Sequence, residues 1–225
     1  MYTSEFRDKV YEDHHGTPPW TSFEHKQNAV TLLREYLPQD VSWKHILDYW
    51  CGDGQIWEYF LKMWADVDFA EISEKMVELL REKYLYKSEV SEVIWDEKEK
   101  LSKASVYRVE SPRDLPEWEK YDYIISWCLF HHIDPKMRKS FLDSLWSLLK
   151  KWWKLFIGWC DKSDPILQQD GNLWHVTWKT SRYIDSLPEY LDSDLYEVVD
   201  TWILDDKIPL FDIPRKLRYF VIKHK

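Results

Sequence analysis

The segment ILDYWCGDG at residues 46–54 constrains the fold more than any other part of the chain. A short apolar run ends in Asp48, and the loop that follows carries glycine at positions 52 and 54. Glycine permits a sharp backbone turn and a close approach to a ligand, because it has no Cβ. The apolar spacing over 55–63 is typical of a helix. The segment therefore predicts a strand, a tight loop and a helix.

The same alternation of strand and helix continues along the chain. Strands are predicted at 44–48, 67–70, 105–109, 121–126, 154–157, 196–204 and 218–224. Helices are predicted at 23–36, 55–63, 74–82, 135–149 and 180–191. Residues 205–216 join the last two strands and are too few and too rich in proline for a crossover helix, so the last strand should run antiparallel. We expect a single Rossmann-like α/β domain, a mostly parallel seven-stranded sheet with helices on both faces.

Composition excludes several classes of protein. Lys+Arg 31 against Asp+Glu 40 gives a formal net charge of −9, which argues against a nucleic-acid partner because such binders carry a basic face. No apolar run approaches the length of a membrane span, so the sequence predicts a cytoplasmic protein without a membrane partner. The three cysteines show no C-x-x-C spacing, and neither disulfides nor a metal site is expected. The sequence gives no indication of the oligomeric state.

Several motifs resemble those of one enzyme family. The segment 46–54 resembles the first motif of class I S-adenosylmethionine-dependent methyltransferases. YDYIISWCLFHHI at 121–133 resembles the fourth-strand segment of small-molecule methyltransferases, which ends in His-His-Ile. The resemblance covers residues 44–160 as the cofactor-binding core, with 1–43 as an N-terminal cap and 161–225 on the acceptor side. It implies S-adenosylmethionine as cofactor and methyl transfer to a small molecule: a metabolite, sugar, lipid head group or thiol.

The resemblance also implies which residues hold the cofactor. Glu71 would accept hydrogen bonds from the ribose hydroxyls, Ile72 would pack on the adenine, and Glu110 or Ser111 would meet the adenine amino group. The other expected cofactor-binding residues are Asp48, Trp50, Cys51, Gly52, Gly54 and Ser126.

His131 and His132 are the candidate catalytic residues, because they follow the fourth strand at the edge where open α/β sheets bind ligands. We favour His132 as the base or acceptor contact. The alternative is that both histidines only pack and form hydrogen bonds near the cofactor.

Two other functions stay open at this point. A methyltransferase-like domain could bind its ligand without turnover. If Trp57 stood for glycine, residues 52–57 would read GDGQIG, the glycine pattern of an NAD(P)-binding oxidoreductase. Asp48, the His-His-Ile segment and the antiparallel ending favour the methyltransferase.

The chain has 5 glycines and 15 tryptophans, whereas average usage predicts roughly 16 glycines. The tryptophans that stand where the family has glycine are Trp50, Trp57, Trp64, Trp152 and Trp153, with Trp43 as a further case. We hypothesise that the gene uses a code in which the opal codon means glycine. The alternative is a protein that is genuinely rich in tryptophan.

Overall fold

A computed structural model shows a seven-stranded sheet with helices on both faces. It describes residues 8–9, 12–13, 23–54, 58–61, 63–86, 103–127, 129–130, 133–161, 163–165, 187–208 and 213–225. The strands are β1 (His45–Tyr49), β2 (Asp66–Glu71), β3 (Ala104–Arg108), β4 (Tyr121–Ser126), β5 (Leu149–Cys160), β6 (Tyr196–Ile208) and β7 (Ile213–His224). The α-helices are α1 (Phe23–Tyr36), α2 (Glu58–Leu61), α3 (Glu74–Arg81) and α4 (Pro135–Leu148).

The strand order is β3-β2-β1-β4-β5-β7-β6. The pairs among β1 to β5 are parallel, whereas β7 runs antiparallel to both β5 and β6. The predicted Rossmann-like fold with an antiparallel last strand is therefore confirmed. Strand order reverses next to β1, where β2 lies on one side and β4 on the other, and open α/β sheets bind ligands at such a point.

Alternate residues of each central strand face opposite layers of the core. Ile46 in β1 packs in the cluster that contains Ala29 and Leu33 of α1. Its neighbour Leu47 packs in the other cluster, with Leu142 of α4. Because side chains alternate across a strand, the buried run in β1 serves both layers.

Side chains cap the first turns of α3 and α4. The Ser73 hydroxyl accepts from Met76 N at 3.1 Å at the start of α3. Asp134 Oδ1 accepts from Lys136 N at 2.9 Å, and Pro135 takes the first position of α4. These caps satisfy backbone N–H groups that the first helical turn leaves without partners.

The predicted loop over 205–216 is wrong in extent. Strand pairing continues from Leu204↔Leu217 to Ile208↔Ile213, so β6 and β7 form a longer hairpin. Lys216 Nζ lies 3.9 Å from Asp205 Oδ1 across the two strands. Opposite charges at such positions support a strand pair, although the same polar residues suggest a loop in the sequence.

Other predicted elements are only partly described. Within the helix predicted over 55–63, the structure describes Glu58–Leu61 as helical, and residues 55–57 and 62 lie outside the described residues. Within the helix predicted over 180–191, Leu187–Tyr190 forms a single 3₁₀ turn, and residues 180–186 lie outside. Over the part of the chain that the structure describes, no helix combines the length and apolarity that a membrane span requires.

Candidate functional site

The predicted cofactor-binding residues follow neighbouring strands at the carboxyl edge of the sheet. Asp48 of β1 pairs with Phe69 of β2 on one side and with Ile125 of β4 on the other. Glu71 and Ser126 are the last residues of β2 and β4. The structure therefore brings these side chains to one edge, around the point where the strand order reverses.

The loop after β1 has an alternating backbone conformation. The φ angles of residues 50, 52 and 54 are 71°, 57° and 66°, all in the left-handed region. Trp50 N donates to Ala70 O at 2.7 Å, and Gly54 N donates to Cys51 O at 3.1 Å. These bonds hold the loop against the end of β2, beside Glu71.

The Glu71 carboxylate is fully buried and held by backbone donors. Oε1 accepts from Ile72 N at 2.8 Å and from Ser73 N at 3.1 Å. Oε2 accepts from Gly52 N at 3.0 Å, which ties the carboxylate to the glycine loop. Because bonds from three N–H groups fix both oxygens, the carboxylate has a defined orientation at the sheet edge.

Gly54 packs too closely for any larger residue. A Cβ at this position would lie 2.9 Å from Phe69 Cε1 and 3.0 Å from Leu80 Cδ2. Tyr84 stacks on Phe69, with ring centroids 4.8 Å apart, and its hydroxyl donates to Gly54 O at 3.1 Å. Tyr84 thus supports the loop, a role that has no signal in the sequence because the stretch 84–104 is charged and weakly periodic.

Negative charge accumulates around this loop. Burial raises the pKa of the Cys51 thiol well above its ordinary value, and the charges of Asp48, Glu71 and Asp53 raise it further. Cys51 is therefore a neutral thiol rather than a nucleophilic thiolate. The same three carboxylates favour a ligand that carries positive charge.

The segment after β3 is organised around Asp114. Asp114 Oδ2 accepts from Glu110 N at 2.7 Å and from Ser111 N at 2.8 Å. The Glu110 side chain is exposed and its Oε1 lies 3.7 Å from Arg108 Nη2. Val109 N donates to Glu71 O at 3.0 Å, which keeps this segment next to the end of β2. The expected adenine contact from Glu110 or Ser111 stays a prediction.

Ile72 and Ser126 are buried where the sequence places them, after β2 and at the end of β4. Among the residues that the structure describes, no partner accepts or donates a hydrogen bond at the Ser126 hydroxyl. A polar group buried at a sheet edge normally has a partner, so the hydroxyl is suited to a ligand atom.

The two catalytic candidates, His131 and His132, lie outside the described residues, as do Trp57 and Cys128. The described residues on either side are close, since Ile133 N donates to Phe130 O at 3.3 Å. Phe130 is fully buried against Trp159, with ring centroids 5.5 Å apart. Ile133 lies two residues before the first residue of α4.

A second polar cluster lies toward the amino edge of the sheet. His45 Nε2 is 3.0 Å from Asp68 Oδ2, and its Nδ1 is 3.6 Å from Glu119 Oε2. Their ligand-type atoms lie within 4.8 Å of one another. The two carboxylates face different ring nitrogens, whereas a metal ion binds one nitrogen of a histidine, so this arrangement is that of a bridging hydrogen-bonded imidazole.

Residues 46–152 match the family model of a methyltransferase domain. The matched segment runs from β1 into β5, the part of the sheet that carries the candidate site. The protein is an enzyme of the transferase class, and its cofactor is S-adenosylmethionine. No curated protein matches the sequence at a significant level.

Solved structures of low sequence identity share the fold. An S-adenosylmethionine-dependent methyltransferase from Anabaena variabilis has a TM-score of 0.65 at 16% identity, with 100% of this chain and 96% of that chain covered. Magnesium protoporphyrin IX methyltransferase from Synechocystis, solved with bound S-adenosylmethionine, has a TM-score of 0.57 at 17% identity, with 94% and 82% covered. TehB from Haemophilus influenzae has a TM-score of 0.61 at 14% identity, with 97% and 67% covered.

The residues of this edge fit the cofactor of a methyltransferase domain. The bond from Gly52 N holds the Glu71 carboxylate in one orientation beside the loop. The acidic loop suits a sulfonium, which carries a positive charge. Trp50 is the exception, since it adopts a glycine-like φ with a large side chain.

Proposed function

We propose that this enzyme transfers a methyl group from S-adenosylmethionine to a small-molecule acceptor: a metabolite, sugar, lipid head group or thiol. The observation that carries the proposal is the fixed, buried carboxylate of Glu71 beside the loop 50–54. Among the similar folds, one acts on magnesium protoporphyrin IX and another, coclaurine N-methyltransferase, was solved with N-methylheliamine. The acidic net charge also favours a small acceptor over nucleic acid.

We assign the cofactor contacts by the position of each residue at the carboxyl edge. Glu71 would accept the ribose hydroxyls, and Ile72 would cover the adenine. Glu110 or Ser111 would lie at the adenine amino group. Asp48, Cys51, Gly52 and Gly54 would line the methionine part, and Ser126 would border it from β4. Residues 1–43 and 161–225 would supply the acceptor side, because loops carry specificity in this architecture.

The chain itself has few chemical steps to perform. The cofactor supplies a methyl carbon that its positively charged sulfur already activates. A bond from the acceptor atom to this carbon would form as the carbon–sulfur bond breaks, and the acceptor would lose a proton. The protein aligns the two reactants and excludes water, which is the main source of rate acceleration for such a displacement. His132 would take the acceptor's proton when the acceptor is a hydroxyl or thiol.

A screen of acceptors with methyl-labelled cofactor tests the proposal. We expect label to transfer to at least one class among small hydroxyl, thiol and amine compounds. The protein should also gain thermal stability with S-adenosylmethionine but not with NAD, since a ligand stabilises the state that binds it. Stabilisation by NAD alone, or transfer of label only to nucleic acid, would overturn it.

Once an acceptor is identified, the His132→Ala variant tests whether His132 is the general base. We expect kcat to fall by about 100-fold or more, the typical contribution of a general base. His131→Ala is the matched control, and its kcat should fall less. The pH profile of His132→Gln should lose the ionisation that limits the rate at low pH. Turnover of His132→Ala within a few-fold of the parent would show that His132 is not the base.

A further inference from the structure

Among the described residues, those with a left-handed backbone are either glycine or tryptophan. Within the described ranges, φ lies between 57° and 73° at six positions. Gly52 and Gly54 account for two of them, and the other four are all tryptophan: Trp43, Trp50, Trp64 and Trp152. A side chain with a Cβ is strained in this conformation, and Asn and Asp are the residues that tolerate it best after glycine. A bulky indole is therefore the wrong residue at these positions.

Trp50 stands in a repeated backbone pattern. Every second residue of this loop, at positions 50, 52 and 54, has a positive φ. Positions 52 and 54 are glycine. The amide of Trp50 donates to Ala70 O at 2.7 Å, so the conformation is held by the strand that carries Glu71. The loop thus requires glycine at 50 for the same reason as at 52 and 54.

Trp64 and Trp43 occupy two facing turns. Trp64 follows α2, its N–H donates to Leu61 O at 3.1 Å, and Ala65 N donates to Phe60 O at 3.3 Å. Helices commonly end in this way with a glycine in the left-handed conformation. Trp43 is the third residue of a turn closed by Lys44 N to Val41 O at 3.0 Å, where a positive φ favours glycine. Trp43 N donates to Trp64 O at 3.1 Å.

Trp152 lies in a bulge of β5. The pairing of β4 with β5 shifts from Tyr121↔Leu149 to Tyr123↔Lys154, which leaves residues 150–153 as the irregular segment. A left-handed residue in a bulge is ordinarily glycine. Trp152 is 75% exposed, Trp43 63% and Trp64 41%, so burial of the indoles does not offset the strain at these three sites.

We propose that the natural protein carries glycine at positions 43, 50, 64 and 152, because its gene is read with a code in which the opal codon specifies glycine. The composition agrees, with 5 glycines and 15 tryptophans in 225 residues. Trp146, Trp153 and Trp202 instead have the ordinary surroundings of an aromatic residue. Trp146 stacks on Tyr196 at 4.0 Å and Trp202 packs edge-on against Tyr36 at 4.6 Å. Trp153 is adjacent to Trp152 but lacks the positive φ, and it packs against Tyr123 at 5.0 Å.

The codons and the natural protein give the direct test. We expect the opal codon at positions 43, 50, 64 and 152, and glycine in peptides of these regions when the protein is purified from its own cells and sequenced by mass spectrometry. The ordinary tryptophan codon at these positions, or tryptophan in the peptides, would overturn the proposal.

Stability gives a second test that needs neither cofactor nor acceptor. The combined variant Trp43→Gly, Trp50→Gly, Trp64→Gly and Trp152→Gly should melt higher than the tryptophan form by on the order of 10 °C. Trp118→Gly is the matched control, because Trp118 is 80% exposed and has no positive φ. It removes an indole and adds the chain entropy of glycine without relieving strain, and should not raise the melting temperature. A combined variant no more stable than the control would contradict the proposal.

The consequence for the site rests on the proposed function. Trp50→Gly alone should bind S-adenosylmethionine at least tenfold more tightly, because an indole leaves the loop that we place under the methionine part. If the combined variant is stabilised but binds no S-adenosylmethionine, the glycine assignment stands and the proposed function fails. If it is not stabilised, the glycine assignment fails whatever it binds.

Discussion

The two edges of the sheet both bury carboxylates, and they hold them by different means. At the carboxyl edge, three backbone N–H groups fix Glu71. Toward the amino edge, Asp68 Oδ2 accepts from the Tyr121 hydroxyl at 2.9 Å and lies 3.0 Å from His45 Nε2. Asp122 Oδ2 accepts hydrogen bonds from His45 N at 2.9 Å and from Lys150 Nζ at 3.0 Å. The carboxyl edge holds its acid with main-chain donors, whereas the amino edge adds side-chain donors, among them the ammonium of Lys150.

This difference indicates a division of roles. Backbone donors carry only partial charges, so they orient Glu71 while its negative charge still acts on its surroundings, as the raised pKa of the Cys51 thiol shows alongside the effect of burial. Toward the amino edge, the ammonium of Lys150 pairs with Asp122, and the imidazole of His45 bonds to Asp68. We therefore expect changes at the carboxyl edge to affect cofactor binding most and changes at the amino edge to affect stability alone.

Glu71→Gln is expected to have the largest effect. The amide keeps the shape but loses the charge, and its NH₂ group would face the N–H of Gly52 or of Ile72 and Ser73. We expect S-adenosylmethionine to bind about 100-fold more weakly, which corresponds to about 2.7 kcal/mol. Isothermal titration calorimetry well below the melting temperature measures this.

The matched control is Glu74→Gln. Glu74 begins α3 three residues later, and its Oε2 pairs with Arg108 Nε at 2.8 Å on the surface. Its neutralisation should leave cofactor affinity within a factor of two. Equal losses in the two variants would mean that Glu71 acts only through the general charge of this edge.

Asp68→Asn makes the same isosteric change at the opposite edge. It removes a charge that supports bonds with His45 and Tyr121, and bonds to charged groups are worth about 1.5–3 kcal/mol. We expect the free energy of unfolding to fall by about 2 kcal/mol. Urea unfolding measures this loss, and titration should show unchanged affinity for S-adenosylmethionine. Loss of cofactor affinity in the folded variant would contradict the inference that the amino edge affects stability alone.

The two edges also differ in how far the sequence predicts them. The positions of Glu71 and the glycine loop can be predicted because each lies at the end of its own strand, within a few residues of the chain. The amino-edge cluster cannot be predicted in this way, because Asp68, Tyr121 and His45 come from three strands whose order only the folded sheet sets. Tyr84 was missed for the same reason, since its contact with Gly54 spans 30 residues of a charged, weakly periodic stretch.

The pattern of strands in the sequence predicts the fold, but it does not predict where the last two strands end. The alternation of elements and the short final connection predict a parallel sheet with one antiparallel strand, and both were confirmed. The extra length of β6 and β7 comes from the pairing of polar residues such as Asp205 and Lys216, which meet only once the two strands are aligned. A polar stretch in isolation resembles a loop, so its pairing has no local signal.

The smallest expected effect is a pH dependence from His45. Burial alone would lower the pKa of His45, but the hydrogen bond and charge of Asp68, with the charges of Glu119 and Asp66, raise it above its ordinary value of 6.5. The folded protein thus binds this proton more tightly than the unfolded chain. The resulting stability is fully present below about pH 6.5 and is lost as the pH rises through the raised pKa. The loss should be smaller than in Asp68→Asn, because the Asp68 carboxylate keeps its bond from Tyr121.

A comparison with His45→Gln isolates this contribution. Burial and the charge of Lys151 lower the pKa of His224, so that histidine has the opposite sign and gains stability as the pH rises. The parent protein should therefore lose more free energy of unfolding than His45→Gln between about pH 6 and about pH 9, because the variant keeps every other ionisable group. Parallel curves for the two proteins would show that folding leaves the pKa of His45 unchanged, and the bond to Asp68 would then not favour the protonated imidazole.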